Sequence, residues 1–116
     1  MSIKLPLKDE QKLTVICRIE AGCLGPDGAD HVDEFCLYGQ PHVTPIDADF
    51  VLWRLVPRHD KTLPEMHYSI NGKILDHVKA EKYLSLFGKD LNTFEEHLHD
   101  KLAQIIDDYL DDRNNT

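Results

Sequence analysis

The chain has 116 residues, 41% of them hydrophobic, and a formal net charge of −8 at pH 7. This length and composition predict one folded domain that buries a core without disulfides or a structural metal. The negative charge disfavours non-specific binding to nucleic acid or to anionic membranes, and no apolar run approaches the roughly 20 residues that a membrane-spanning helix needs.

The three cysteines of the chain form neither a Cys-x-x-Cys motif nor a dense framework. An odd number of scattered cysteines is typical of a reducing compartment. Because the first ten residues also lack the apolar stretch of a signal peptide, we predict a cytoplasmic protein. The single domain is expected to cover 1–116, with a loose tail or short edge strand at 1–10 and a fraying tail at 111–116.

The first clear element is a strand predicted over residues 12–21. Apolar and polar side chains alternate there with the period of two that indicates a half-buried strand. The glycine-containing loop at 22–28 follows, and its segment Gly25-Pro26-Asp27-Gly28 has the residue types of a tight turn. The inward set of the strand is Leu13, Val15, Cys17, Ile19 and Ala21.

A first helix is expected from Asp30, as the N-cap, to Tyr38. Carboxylates follow Asp30 in the first turn, where the helix dipole favours them. Gly39 and Pro41 are the residues expected to end this helix. Its apolar face has the i, i+3, i+4, i+7 spacing of an amphipathic helix and consists of Val32, Phe35, Cys36 and Gly39.

The middle of the chain predicts two further strand regions. Residues 50–56 are apolar on both faces and are expected to form the central strand of a sheet. After a polar loop, 66–70 and 73–75 flank Asn71-Gly72, the dipeptide typical of a type I′ hairpin turn. This turn pairs Ile70 with Lys73 and Tyr68 with Leu75.

The last third of the chain is predicted to be helical. A short helix over 77–87 is expected to end at Gly88 in the C′ position. Thr93 and Glu96 have the spacing of a capping box, which would open the last helix. This helix carries a continuous apolar stripe over about four turns, formed by Phe94, Leu98, Leu102, Ile105, Ile106 and Tyr109.

The predicted order of elements is β-α-β-β-β-α-α, which defines an α+β class. We expect a mainly antiparallel sheet of about four strands with the helices packed on one face. The arrangement is ferredoxin-like in part, although the closing strand of that fold has no counterpart after the second helix.

The loop after the first strand is the place where chemistry is expected, although it matches no phosphate-binding motif. Cys23 is the only cysteine outside an apolar pattern, and a nucleophilic thiol needs a nearby base, for which His31 is the candidate. Cys23, His31 and Cys36 are the candidate metal ligands, although the seven histidines match no zinc-site spacing. No cofactor is expected.

The favoured function is a small non-catalytic domain that acts through a protein–protein interface, with a homodimer as one form of it. The alternative is a thiol- or metal-dependent enzyme centred on Cys23. A concave pocket at Cys23 would favour the enzyme, and a flat apolar patch would favour the interface. Asp107, Asp108, Asp111 and Asp112 form either a solvated helix end or a landing site for a basic partner. The predicted interface residues are Leu98, Leu102, Ile105 and Tyr109.

Overall fold

The computed structural model describes residues 5–114, which fold into a four-stranded sheet and three α-helices. The strands are β1 (Leu13–Ile19), β2 (Val51–Pro57), β3 (Met66–Ile70) and β4 (Lys73–Leu75), and the helices are α1 (Val32–Val43), α2 (His77–Ser85) and α3 (Leu91–Asn114). The predicted α+β class is therefore confirmed, whereas a ferredoxin-like arrangement is not. Within the described range, no helix combines the length and apolar character needed to cross a membrane.

The sheet has the order β2-β1-β3-β4, with β1 and β2 parallel and the other pairs antiparallel. Val15 of β1 lies opposite Trp53 of β2 on one side and Tyr68 of β3 on the other. The central position predicted for residues 50–56 was wrong, because β2 is an edge strand and β1 is central. On its second face, β2 carries the half-buried Leu52 and Val56 and the exposed Arg54.

The core lies on one face of the sheet. The buried residues of the described strands all point to this face, where α1, α2 and α3 pack against them; they are Leu13, Val15, Cys17, Ile19, Val51, Trp53, Leu55 and Tyr68. The other side, which we call the open face, carries half-buried or exposed side chains. The open face consists of Thr14, Ile16, Arg18, Leu52, Arg54, Val56, Glu65, His67, Ser69 and Ile74.

Helix α1 begins and ends later than the sequence predicts. A one-turn 3-10 helix occupies Gly28–Asp30, so the predicted N-cap at Asp30 was wrong. His31 takes the N-cap position, without a side-chain capping bond among the described residues.

The predicted stop at Gly39 and Pro41 was also wrong. A Cβ atom at Gly39 would lie 2.7 Å from Leu55 Cδ2, so the glycine serves close packing of α1 on β2. Pro41 removes the hydrogen bond to the carbonyl of Leu37, a residue that is 78% exposed, so water can replace the lost donor. Burial of Val43 then favours one more turn of helix.

Helix α1 also closes the free edge of β2. Gln40 Nε2 donates to Trp53 O at 2.9 Å, and Gln40 Oε1 accepts from Leu55 N at 2.9 Å. The amide group of Gln40 thus takes the place of a neighbouring strand. Pro57, at the end of β2, has no N–H to offer.

The hairpin between β3 and β4 was predicted correctly. Asn71 and Gly72 have φ values of 50° and 82°, as a type I′ turn requires, and Ile70 pairs with Lys73. Helix α2 ends at Ser85, and one further turn leads to Gly88, whose φ of 73° is the left-handed geometry expected of a glycine that follows a helix.

The start of α3 corrects the predicted capping box. The carboxylate of Asp90 accepts from both Thr93 N and Thr93 Oγ1 at 3.1 Å, so Asp90 caps the helix and Thr93 lies inside the first turn. Aspartate competes well with threonine for the N-cap position, and Glu96 is consequently exposed on the helix surface.

Candidate functional site

The three cysteines lie in different environments, and none forms a disulfide. Burial raises the pKa of Cys17 to about 12 and that of Cys36 to about 11, with smaller contributions from neighbouring acidic groups. Cys23 is exposed. Over residues 5–114, no three His, Cys, Asp or Glu side chains are placed to hold a metal ion, and Cys23, His31 and Cys36 are not brought together.

A cleft of about 180 Å³ opens beside Cys23. Its walls come from the end of β1, the start of β3 and the middle of α3, and they include Cys17, Met66, His99 and Leu102. Within the described range, no hydrogen bond or ion pair joins Cys23 to a possible general base. The cleft can therefore hold a small apolar group, and His99 of α3 is a histidine that lines it together with Cys23.

The four predicted interface residues lie in the core of the chain. The exposed fractions of Leu98, Leu102, Ile105 and Tyr109 are 1%, 7%, 3% and 3%. The chain's own sheet and helices cover these side chains, although Leu102 and Tyr109 also line pockets at the surface.

A second pocket, of about 330 Å³, lies where the C-terminal end of α3 meets the N-terminal half of α1. We call it the aromatic–acidic pocket, and it is lined by Glu34, Tyr38, Tyr109, Asp112 and Arg113. The rings of Tyr38 and Tyr109 lie 5.2 Å apart at 55° to each other, so they form two inclined walls. The i, i+4 spacing of each helix places these groups on facing surfaces.

One cation already occupies part of this pocket. The Arg113 guanidinium lies 5.7 Å from the centre of the Tyr109 ring, within the range of a cation–π interaction. Arg113 Nη1 donates to Glu34 Oε2 at 3.1 Å and to Tyr109 Oη at 3.3 Å, and Nη2 lies 3.2 Å from His31 Nε2. The predicted candidate His31 thus contacts an arginine of α3 rather than Cys23.

The opposite wall of the pocket carries a second carboxylate. Tyr38 Oη donates to Asp112 Oδ2 at 3.3 Å. Partial burial, followed by the charge of Asp112, raises the pKa of Tyr38. Its hydroxyl is protonated at neutral pH, as that of an ordinary tyrosine is. Asp108, whose charge also acts on Tyr38, is exposed. This arrangement of rings and carboxylates suits a guanidinium or ammonium group.

Parts of this pocket were predicted from the sequence, but the whole was not. His31 was predicted as a candidate base, Tyr109 as an interface residue, and the C-terminal aspartates as either a solvated helix end or a landing site for a basic partner. No functional role was predicted for Glu34, Tyr38 or Arg113. The available signal was the i, i+4 pairing of Glu34 with Tyr38 and of Tyr109 with Arg113. Nothing local indicated that the two helices meet, because Glu34 and Arg113 are 79 positions apart.

Comparison of the chain with protein-family models, with curated proteins and with solved structures gives no match. Function therefore has to be inferred from the geometry of the pocket and from the charge of the chain.

Proposed function

We propose that this chain is a small, non-catalytic, cytosolic domain that binds a basic segment of a partner protein at the aromatic–acidic pocket. The observation that carries this proposal is the position of Arg113, whose guanidinium lies against Tyr109 and Glu34. A cationic side chain from a partner would find the same ring and the same carboxylate.

The charge of the whole chain supports a basic partner. A formal charge of −8 attracts positively charged segments before contact and accelerates their association. The carboxylates at the C-terminal end of α3 oppose the helix dipole, at a cost of about 0.3–1 kcal/mol each at low ionic strength. A cationic partner would neutralise them and remove this cost.

The alternative function, a thiol enzyme at Cys23, has the neighbouring cleft in its favour. Its candidate base, His31, is engaged by Arg113 instead. We therefore favour binding over catalysis, and the cleft remains available to a small apolar group.

A direct test measures binding of fluorescein-labelled hexa-arginine by fluorescence anisotropy. The double variant Glu34→Gln/Asp112→Asn keeps the shapes of both side chains and removes two charges from the pocket. We expect it to weaken binding by about tenfold or more, which corresponds to about 1.4 kcal/mol or more.

The matched control removes the same number of charges at a distance from the pocket. The double variant Glu96→Gln/Asp100→Asn neutralises two exposed carboxylates in the first half of α3. We expect this control to change the affinity less than threefold, since charge alone acts weakly over that distance. Equal losses in both double variants would show that hexa-arginine responds only to net charge, and the pocket would lose its assigned role.

Arg113 gives a second test of the same pocket. If Arg113 competes with an incoming cation, Arg113→Gln should strengthen hexa-arginine binding by several-fold. Lys79→Gln removes one positive charge from exposed α2 and serves as the control. A gain no larger than that of the control would contradict competition at the ring of Tyr109.

A further inference from the structure

The open face of the sheet has a self-complementary pattern that is independent of the aromatic–acidic pocket. The register places Leu52, Thr14, Ser69 and Ile74 side by side across the four strands, in the row nearest the hairpin turn. Apolar side chains stand at both ends of this row, and hydroxyl groups stand in the middle. The row therefore has the same chemical order from either edge of the sheet.

We propose that the open face is the contact surface of a homodimer. In this dimer, a second copy of the chain packs face to face across a two-fold axis that runs parallel to the strands, between β1 and β3. Such an interface is isologous: when one residue meets a second, the second meets the first across the axis. The rotation lays β2 over β4 of the second copy and β1 over its β3.

In the row nearest the hairpin turn, this rotation produces each contact twice, once from each copy. Leu52 would pack on Ile74 of the second copy, and Thr14 would meet its Ser69. Ile74 is 69% exposed, which makes it one of the most exposed large apolar side chains of the described chain. Its burial against Leu52 would remove apolar surface from water twice in each dimer.

The row at the opposite end of the sheet supplies charge complementarity. Arg18 N donates to Glu65 O at 2.8 Å, so these residues are neighbours on β1 and β3. The same rotation places the Arg18 guanidinium opposite the Glu65 carboxylate of the second copy, and the reverse pair follows by symmetry. The Glu65 side chain is 56% exposed, and within its own chain its carboxylate lies 3.7 Å from Arg58 Nη1. The Arg18 guanidinium donates to Pro64 O at 2.8 Å and lies 3.4 Å from His67 Nδ1, and its other N–H groups are left for a carboxylate of the second copy.

The middle row of the open face consists of Arg54, Ile16 and His67. It is consistent with the same two-fold axis. Ile16 would pack against His67 of the second copy, at the centre of the interface. Arg54 is exposed, and no hydrogen bond or ion pair joins it to another residue in the described range. The rotation places Arg54 just beyond the end of β4 of the second copy. Asp76 of the second copy, the residue that directly follows that strand, lies there.

The distribution of charge favours a second copy on this face. The open face carries Arg18 and Arg54 against Glu65, whereas the chain as a whole has a charge of −8. Two copies that approach by acidic surfaces repel each other, whereas on the open face two arginines stand against one glutamate.

The area of the open face sets the expected affinity of the proposed dimer. The four strands have 7, 7, 5 and 3 residues, so at about 3.3 Å per residue and about 4.8 Å between strands they present about 350 Å² in each copy, or about 700 Å² in total. This total is below the roughly 1,200–2,000 Å² of stable interfaces, so we expect a reversible dimer that forms at micromolar or higher concentration.

Sedimentation equilibrium of the full chain over about 1 to about 500 μM tests the dimer. We expect the average mass to rise from the 13.4 kDa of one chain toward twice that value. Arg18→Glu and Glu65→Arg should each remain monomeric, because each places like charges across both sites. An equimolar mixture of the two variants should recover the dimer, since every pair is then opposite in sign. A wild-type chain that stays monomeric throughout overturns the proposal.

A second pair of variants covers the case in which a charge reversal prevents folding, as judged by circular dichroism. Ile74→Asp alters an exposed residue of the open face, and Val78→Asp alters one on α2 that is 57% exposed and lies outside this face. We expect Ile74→Asp to weaken dimerisation by tenfold or more and Val78→Asp to leave it unchanged. Equal behaviour of these two variants would exclude the open face. Ile74→Asp should change hexa-arginine binding less than threefold, as expected for a charge far from the pocket, which separates this proposal from the pocket.

Discussion

Burial divides the cysteines of this chain into one accessible thiol and two protected ones. The alternation of β1 and the apolar face of α1 were sufficient to predict that Cys17 and Cys36 are buried, and the structure confirms both. What the sequence could not predict is that the cleft beside Cys23 also exposes a wall that includes Cys17. That wall depends on where α3 crosses the sheet, and local periodicity does not contain this information.

The raised pKa values predict different reactivities for these thiols. The pKa of Cys17 is about 12 and that of Cys36 about 11, so both remain protonated near pH 7, and the thiolate is the reactive species. We expect iodoacetamide to modify Cys23 first, and Cys17 and Cys36 at least tenfold more slowly. At about pH 9 Cys17 and Cys36 should still be largely protonated and slow to react, because this pH lies well below both of their pKa values.

Mass spectrometry of tryptic peptides, sampled over time in the folded protein, measures each cysteine separately. The denatured chain is the control, in which all three should react at similar rates. Modification of Cys17 at the rate of Cys23 in the folded protein would show that its thiol is neither buried nor protonated as described.

At the scale of elements, the sequence predicts best where the signal lies within a few residues. The Asn71-Gly72 hairpin is local, because two positive φ values and a two-residue loop define it. The predicted ends of α1 failed because tertiary packing overrode local signals: contact of Gly39 with Leu55 and burial of Val43 carry the helix past Pro41. The edge position of β2 is likewise a property of long-range pairing.

The hairpin gives a prediction for stability. Gly72 has a φ of 82° and open space around it, so a larger side chain there meets backbone strain rather than a clash. We expect Gly72→Val to destabilise the fold by about 1–3 kcal/mol, since a β-branched residue is strained at positive φ.

Thermal unfolding followed by circular dichroism measures this effect. Gly22→Val is the matched control, because Gly22 also has open space around it but does not have a positive φ. An unchanged melting temperature for Gly72→Val, or an equal loss in the control, would contradict the type I′ assignment.

At the scale of the whole molecule, the excess of negative charge acts on stability and on binding in opposite directions. Carboxylates that repel one another destabilise the folded chain, and salt screens this repulsion beyond a Debye length of about 10 Å at 0.1 M. We therefore expect the melting temperature to rise between about 20 and about 300 mM NaCl, while hexa-arginine binding weakens over the same range.

The same salt series applied to Glu34→Gln/Asp112→Asn provides the comparison. This variant carries less negative charge, so its melting temperature should depend less on salt than that of the wild-type chain. A wild-type melting temperature that falls as salt is added would show that attractive ion pairs, such as those of Arg58 with Glu20 and Glu65, outweigh the net repulsion.

The closure of β2 by Gln40 limits how copies of this chain can assemble. Hydrogen bonds that a neighbouring strand would need at Trp53 O and Leu55 N are already made within the chain. At the other edge, β4 has only three residues, too short to template a long strand. Growth by strand addition is therefore blocked at one edge and poorly supported at the other. The proposed contact through the open face would use that face in both copies, so association would end at a pair and would not continue into a fibre.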